Sequence, residues 1–263
     1  MTWTTRPRSD LAGLSAIVAG QGRPIILIHG VGLRAEAWGA QVEALTRAHR
    51  VVAVDMPDHG SSPHLDQHAT LRAFVDPIAA VLDLPENREA VVIGHSFGAM
   101  IALDLAARYG GLVSGVVALN AIYRRDAAAQ SAVQARAETL DGATIADPSA
   151  PLARWFGTPS SAERSACEHW LTACDPAGYR AAYRVFATEN GPAESALATL
   201  ACPALFMTGE NERNSTPAMS RAMAGLAPHG RAIVIDGAAH MLPMTHPVPV
   251  NAALLEFVQE CFA

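Results

Sequence analysis

The chain alternates between short, unbroken apolar runs and longer segments whose apolar residues recur every three or four positions. The runs occupy residues 15–19, 24–28, 51–54, 90–93, 115–119, 204–208 and 231–235. Ile25-Ile26-Leu27-Ile28 contains no polar position at all. A half-buried strand would alternate, whereas a continuous run fits a strand covered on both faces, as in a parallel sheet. Segments 37–48, 70–82, 96–109, 217–226 and 248–262 predict helices. In 70–82, Phe74, Ile78, Val81 and Leu82 fall on one helical face. Gly110-Gly111 is a natural helix stop, and Thr216-Pro217 supplies an N-cap followed by proline at the first helical position. Strand and helix in repeated alternation predict an α/β fold with a mostly parallel central sheet flanked by helices.

Residues 121–200 break this rhythm. No strand-like run occurs there. Ala-rich helical stretches are punctuated by Asp147-Pro148, Thr158-Pro159, Asp175-Pro176 and Gly191-Pro192. So long a stretch is not a plain loop. It is expected to form a helical cap inserted between two parts of a core domain, residues 1–120 and 201–263.

Composition narrows the function classes. Lysine plus arginine number 19 against 25 aspartates plus glutamates, a formal charge of −6, and no dense basic cluster appears. Nucleic acid and anionic membrane are therefore not expected partners. Cys167, Cys174, Cys202 and Cys261 show neither a CxxC pattern nor zinc-ligand spacing with histidine. No metal is expected, and the thiols fit a reducing compartment. Residues 1–22 lack a basic region followed by an apolar run, and no apolar stretch approaches the roughly 18 residues of a membrane span. A cytoplasmic protein is expected; the oligomeric state is not legible.

The candidate chemistry begins at Gly94-His95-Ser96-Phe97-Gly98, where a buried strand runs straight into a helix. A Gly-x-Ser-x-Gly turn in that context lifts the serine hydroxyl clear of the sheet, so Ser96 is the candidate nucleophile. Acyl transfer needs donors aimed at an oxyanion. The N–H of Phe97, just after the serine, is one candidate. The N–H of Val31, in His29-Gly30-Val31-Gly32 after the strand 24–28, is the other. His29 reads first as a residue that holds this loop and second as a substrate contact. With the acid and the base following the serine in that order, the base lies downstream. His240, after a strand and the small turn Gly237-Ala238-Ala239, is better placed than His246, which stands at the entry to the last helix. Met241 is a candidate substrate contact beside it. The carboxylate that orients the base should follow the strand 204–208. Glu212 fits the offset better than Glu210, which lies nearer the strand end and could instead bond backbone groups.

These motifs, with Asp55-Met56-Pro57-Asp58-His59-Gly60-Ser61-Ser62, resemble those of the α/β-hydrolase-fold serine hydrolases over nearly the whole chain. The resemblance implies an ester or lactone hydrolase acting on a small molecule through an acyl-enzyme, with no cofactor. Two positions depart from the pattern. Glu212 stands where the family most often has Asp. Asp58 stands where Gly is usual, as a turn former or as a polar group near the site entrance. Arg154-Trp155-Phe156 and the Tyr179 and Tyr183 region resemble the cap of 3-oxoadipate enol-lactonases. That likeness makes Trp155 a candidate pocket wall and Arg154 a candidate partner for a substrate carboxylate; plain packing is the other reading of the aromatics. A serine nucleophile argues against the dehalogenases and epoxide hydrolases of the same family. A carbon–carbon bond hydrolase of a ring-cleavage pathway is the alternative activity. A ligand-sensing receptor that keeps the triad is the third.

Overall fold

A computed structural model describes residue 3, residues 5–65 and residues 69–263. In chain order the elements are β1 (Ser9–Leu11), β2 (Leu14–Ala19), β3 (Pro24–Ile28), α1 (Gly39–Leu45), β4 (Arg50–Val54), α2 (Leu71–Leu82), β5 (Ala90–His95), α3 (Phe97–Arg108) and β6 (Val113–Leu119). Five helices follow: α4 (Ala127–Thr139), α5 (Ser149–Phe156), α6 (Ala162–Ala173), α7 (Pro176–Thr188) and α8 (Glu194–Ala198). The chain closes with β7 (Ala204–Gly209), α9 (Pro217–Leu226), β8 (Gly230–Ile235), α10 (Leu242–Thr245) and α11 (Pro247–Phe262).

The strands form one sheet in the order β1-β2-β4-β3-β5-β6-β7-β8. From β4 across to β8 every pairing is parallel; β2 runs antiparallel to β4, and β1 antiparallel to β2. The unbroken apolar runs are explained by what lies on each face. Ile26, Ile28, Val52 and Val92 pack with Phe74 and Ile78 of α2 and Ile101 of α3. Their neighbours Ile25, Leu27, Val51 and Val91 point the other way, toward Trp38, Val42 of α1 and Phe257 of α11. Alternate side chains serve two cores, so neither set can be polar.

Two elements differ from the sequence expectation. β1 is three residues long, and two of them are exposed, so it leaves no apolar signature. The helix expected over 37–48 begins earlier, as a 3₁₀ turn over Ala35–Trp38, and ends at Leu45. The early start has a polar cause. Asp55 Oδ1 accepts the Ala35 N–H at 2.8 Å, and the buried Glu36 carboxylate accepts Arg8 Nη2 at 2.6 Å and Arg34 Nε at 3.0 Å.

Helices α4–α8 lie between β6 and β7, in the stretch without strand signals. Three of them start on side-chain caps: Asp126, Ser161 and Asp175 accept the N–H groups of Ala129, Arg164 and Gly178. Leu152, Trp155, Cys167, Trp170 and Leu171 of this segment share a third apolar cluster with Leu33, Met241 and Met244. The helices are thereby seated on the loops that leave the C-terminal ends of β3 and β8. Crevices at such strand ends are where open α/β sheets place their ligands.

Candidate active site

The site starts from a strained turn. Ser96, between β5 and α3, has φ +56° and ψ −117°, a conformation that a non-glycine residue holds only when its surroundings impose it. The glycines on either side permit it. A Cβ on Gly94 would lie 2.0 Å from the Gly98 carbonyl oxygen, and one on Gly98 would lie 2.2 Å from the Ile28 carbonyl oxygen. Strand β5, helix α3 and the end of β3 therefore meet at backbone contact only because both positions lack side chains. The turn is secured by the Ser96 N–H, which donates to Leu119 O on β6 at 2.8 Å.

The loop after β3 lies against this elbow: a Cβ on Gly30 would come within 3.1 Å of Ser96 Cβ. Two buried imidazoles hold that loop. His29 Nδ1–H donates to Gly30 O at 2.8 Å, and its Nε2 accepts the Met56 N–H at 3.1 Å. His59 Nδ1–H donates to Pro57 O at 2.9 Å, and its Nε2 accepts the Gly32 N–H at 2.9 Å. Each ring uses one nitrogen as donor and the other as acceptor, so both are neutral. Burial is the main cause and holds His29 down to about 3, with adjacent His59 adding to it; burial also lowers His59. Val31 lines the cavity beyond the loop, and among the described residues its N–H has no backbone acceptor. The Phe97 N–H is the first of α3 and has no partner within the helix.

His240, on the loop after β8, donates from Nδ1 to Glu212 Oε2 at 2.8 Å. Glu212 is itself anchored: its Oε1 accepts the N–H groups of Asn214 at 2.6 Å and Ser215 at 3.3 Å. Burial alone would raise this carboxyl. The His240 charge and hydrogen bond, with those two N–H donors, outweigh burial and carry it down to about 2. Glu210 instead accepts the Gly237 N–H at the surface, at 2.9 Å. The His246 side chain bonds its neighbour Thr245, and the residue precedes α11. The His240 carbonyl accepts two further bonds, from His95 Nε2 at 2.8 Å and Asn120 Nδ2 at 2.6 Å. Burial, reinforced by the nearby His240, holds His95 down to about 3.

Ser96, His240 and Val31 line one cavity of about 200 Å³, and the segment between β6 and β7 supplies its opposite wall. Arg154 and Trp155 are on that wall; His29 and Met241 are not among the lining residues, being buried behind it. Trp155 stacks on the His240 ring, with centroids 5.4 Å apart and planes 19° from parallel. No bond within hydrogen-bonding distance joins Ser96 Oγ to His240 Nε2 among the described residues; such contacts often tighten only with substrate bound.

Sequence reasoning missed Arg136 and Asn120; Arg124 and Arg125, at the start of the 121–200 segment, read from the sequence as a solvated face, but Arg125 is buried against the cavity. Arg125 and Arg136 bring charge to the cavity wall, and among the described residues no carboxylate lines it. Arg136 Nη2 is buried without a partner, and the guanidinium lies 5.6 Å from the Tyr183 ring. Arg125 donates to Glu189 O at 2.6 Å and lies 4.5 Å from the Phe186 ring; burial brings it down to about 10. A single arginine in Ala-rich helical sequence, as Arg136 is, carries no spacing that marks it. Asn120 did carry a signal, since it follows β6 directly at the end where ligands bind. Asp58 has φ +64°, and its Oδ1 accepts the Leu65 N–H at 2.9 Å, which is the turn-forming role. Among the described residues no helix is long and apolar enough to cross a membrane.

Comparison with known proteins identifies the family of the chain. Residues 25–253 match the model of the alpha/beta hydrolase family. A protein of Acinetobacter baylyi named (E)-2-((N-methylformamido)methylene)succinate hydrolase is 38% identical over 243 residues, covering 91% of this chain and 92% of that one. A pimeloyl-[acyl-carrier protein] methyl ester esterase of Xanthomonas campestris is 30% identical over 250 residues, covering 92% and 97%. Among solved structures, a thermophilic esterase from Thermogutta terrifontis superposes with a TM-score of 0.85 at 24% identity, over 98% of this chain and 100% of that one. The enol-lactonase of Burkholderia xenovorans does so with a TM-score of 0.83 at 21% identity, over 96% and 100%. The chain belongs to the alpha/beta hydrolase family and is a hydrolase.

Proposed function

We propose that this enzyme is a serine hydrolase that cleaves a small, carboxylate-bearing acyl compound, an ester or lactone in the first instance, through an acyl-enzyme. One observation carries the reading: Ser96 and the Glu212-bound His240 share a cavity whose opposite wall is cationic and, among the described residues, has no carboxylate. Residues 121–200 act as the cap over that cavity.

Glu212 keeps the His240 proton on Nδ1, which leaves Nε2 free as base. His240 takes the Ser96 proton as the serine oxygen attacks the acyl carbon. The oxyanion rests on the N–H groups of Val31 and Phe97. His240 then returns the proton to the departing oxygen, and the acyl group stays on Ser96. Water, deprotonated by His240, attacks the ester; the acid product leaves and Ser96 regains its proton.

Arg136 suits a substrate carboxylate, because its buried Nη2 has no partner among the described residues and a charge-assisted bond to an anion would satisfy it; the exposed Arg154 adds a second positive charge to the same cavity. The 38% identical relative is named for a substituted succinate, which carries two carboxylates beside its acyl group. An acylated enamine of that kind would be opened by the same attack at its acyl carbon.

A substrate panel tests this. The wild type should turn over a p-nitrophenyl half-ester of succinate faster than neutral p-nitrophenyl acetate. Ser96→Ala should lose at least about a thousand-fold on both, and undiminished turnover would overturn the reading. A vinylogous dienoate run alongside a lactone separates the carbon–carbon alternative: cleavage of the dienoate alone would replace acyl hydrolysis by that activity.

A further inference from the structure

Trp155 presents a combination that the triad does not explain. It sits on α5, in the segment between β6 and β7, yet its indole lies nearly parallel to the His240 ring, 5.4 Å away. The His95 ring lies 5.0 Å from His240, tilted by 53°. The catalytic imidazole is thus held by an indole, a neutral imidazole and the Glu212 carboxylate at once. Trp155 is buried, its Nε1 has no hydrogen-bond partner, and it lines the cavity. Buried indole N–H groups normally find an acceptor. Packing alone would be served as well by leucine or phenylalanine, neither of which leaves a donor unsatisfied.

The ring face of an aromatic side chain is electronegative and attracts a cation above it, tryptophan most strongly. His240 becomes a cation at one stage only, when it holds the Ser96 proton. An indole stacked there stabilises the transition state more than the resting enzyme, which is the kind of interaction that raises kcat. Resting on the hydrolase reading above, we propose that Trp155 is a positioning residue for the general base. It fixes the His240 ring, favours the imidazolium and makes the base fully competent only while α5 is seated on the core.

The groups that face His240 are Glu212 from the loop after β7, His95 from the end of β5, Ser96, and the cavity-wall residues Arg125, Arg136, Arg154, Tyr179 and Tyr183. All are unchanged in variants at position 155, so differences among those variants report on the indole. Trp155→Phe keeps an aromatic face; Trp155→Leu keeps apolar bulk and excludes water but has none. The test is the pH profile of kcat/KM, with kcat and KM resolved, on the succinate half-ester, with thermal midpoints to show that each variant is folded. Trp155→Leu should lose about three- to twenty-fold in kcat, and its acid limb should move to lower pH because the imidazolium is less favoured. Trp155→Phe should recover most of kcat and return the limb toward the wild-type position. A pH-dependent quenching of tryptophan fluorescence that follows the same limb should be present in the wild type and lost in Trp155→Phe. If Trp155→Leu changes KM alone, with kcat and the limb as in the wild type, the indole is only a wall and the proposal fails. Retention of activity by Ser96→Ala would instead refute the hydrolase reading, so the two failures are distinguishable.

Discussion

At the scale of single residues, the triad proposed above has to accommodate a longer acid in its Glu212–His240 pair. Glutamate reaches one methylene further than the aspartate usual in the family, and the 212–215 turn absorbs the extra length by pinning Oε1 on two backbone N–H groups. Only Oε2 is left for His240, at 2.8 Å. Glu212→Asp should therefore fold but hold only one of the two anchorages at a time. A displacement of about 1 Å costs on the order of a hundred-fold in well-positioned chemistry, so kcat should fall by about ten- to a hundred-fold with KM nearly unchanged. Glu212→Gln removes the charge that stabilises the imidazolium and should fall further, by about a thousand-fold or more. Steady-state kinetics on both variants checks the order: equal, small losses would mean that Glu212 does not orient the base.

At the scale of elements, the strand-turn-helix unit and the parallel sheet were legible because their rules are local. Buried parallel strands demand unbroken apolar runs, and the elbow demands glycine at both flanks, so Ile25–Ile28 and Gly94 to Gly98 announce themselves. Glu212 and His240 were legible as candidates by offset from their strands, and the structure brings them into hydrogen-bond contact at 2.8 Å. The opposite wall was legible in part: Trp155 and Arg154 line it as the resemblance implied, whereas Arg136 joins them only through helix packing, which leaves no fixed spacing in the chain. The coupling of the loop after β3 to the loop after β4 was also hidden. Asp55–Ser62 was legible as a motif, but His59 acts at a distance, accepting the Gly32 N–H at 2.9 Å. That bond holds the strand-end loop whose Val31 lines the cavity. His59→Phe fills the same space and strands a buried N–H, at a cost of about 1–3 kcal/mol. The expected outcome is a lower thermal midpoint together with a kcat loss of about ten-fold or more, KM moving little. A lower midpoint with kcat intact would show that the loop keeps its shape without the imidazole.

At the scale of the whole molecule, the net charge of −6 and the cationic cavity oppose each other, and the fold resolves them by segregation. Some carboxylates are paired away from the cavity, as at Arg8 with Glu36 and Asp55, while among the described residues lining the cavity the arginines have no acid beside them. A second consequence of burying polar groups concerns acid stability. His29 and His95 are buried neutral and held down to about 3, and His59 is lowered as well. Below pH about 6.5 the unfolded chain takes up protons on these imidazoles while the folded chain does not, so stability falls as pH falls. For His29 and His95 the loss reaches roughly 2 kcal/mol each by pH 5 and continues toward pH 3. Glu212 acts in a later window. Its folded value near 2 lies below its usual value, so the stability it adds is present above about pH 4.5 and is lost between there and about pH 2. Urea midpoints measured from pH 8 to pH 4 should therefore begin to fall near pH 6.5, before the carboxylates titrate. His95→Gln, which has no group to titrate in that range, should flatten the upper part of the slope even if it lowers the plateau, because the same backbone carbonyl of His240 can accept from the amide. A wild-type profile that stays level until pH 4.5 would show that the buried imidazoles take up their protons without opening the fold.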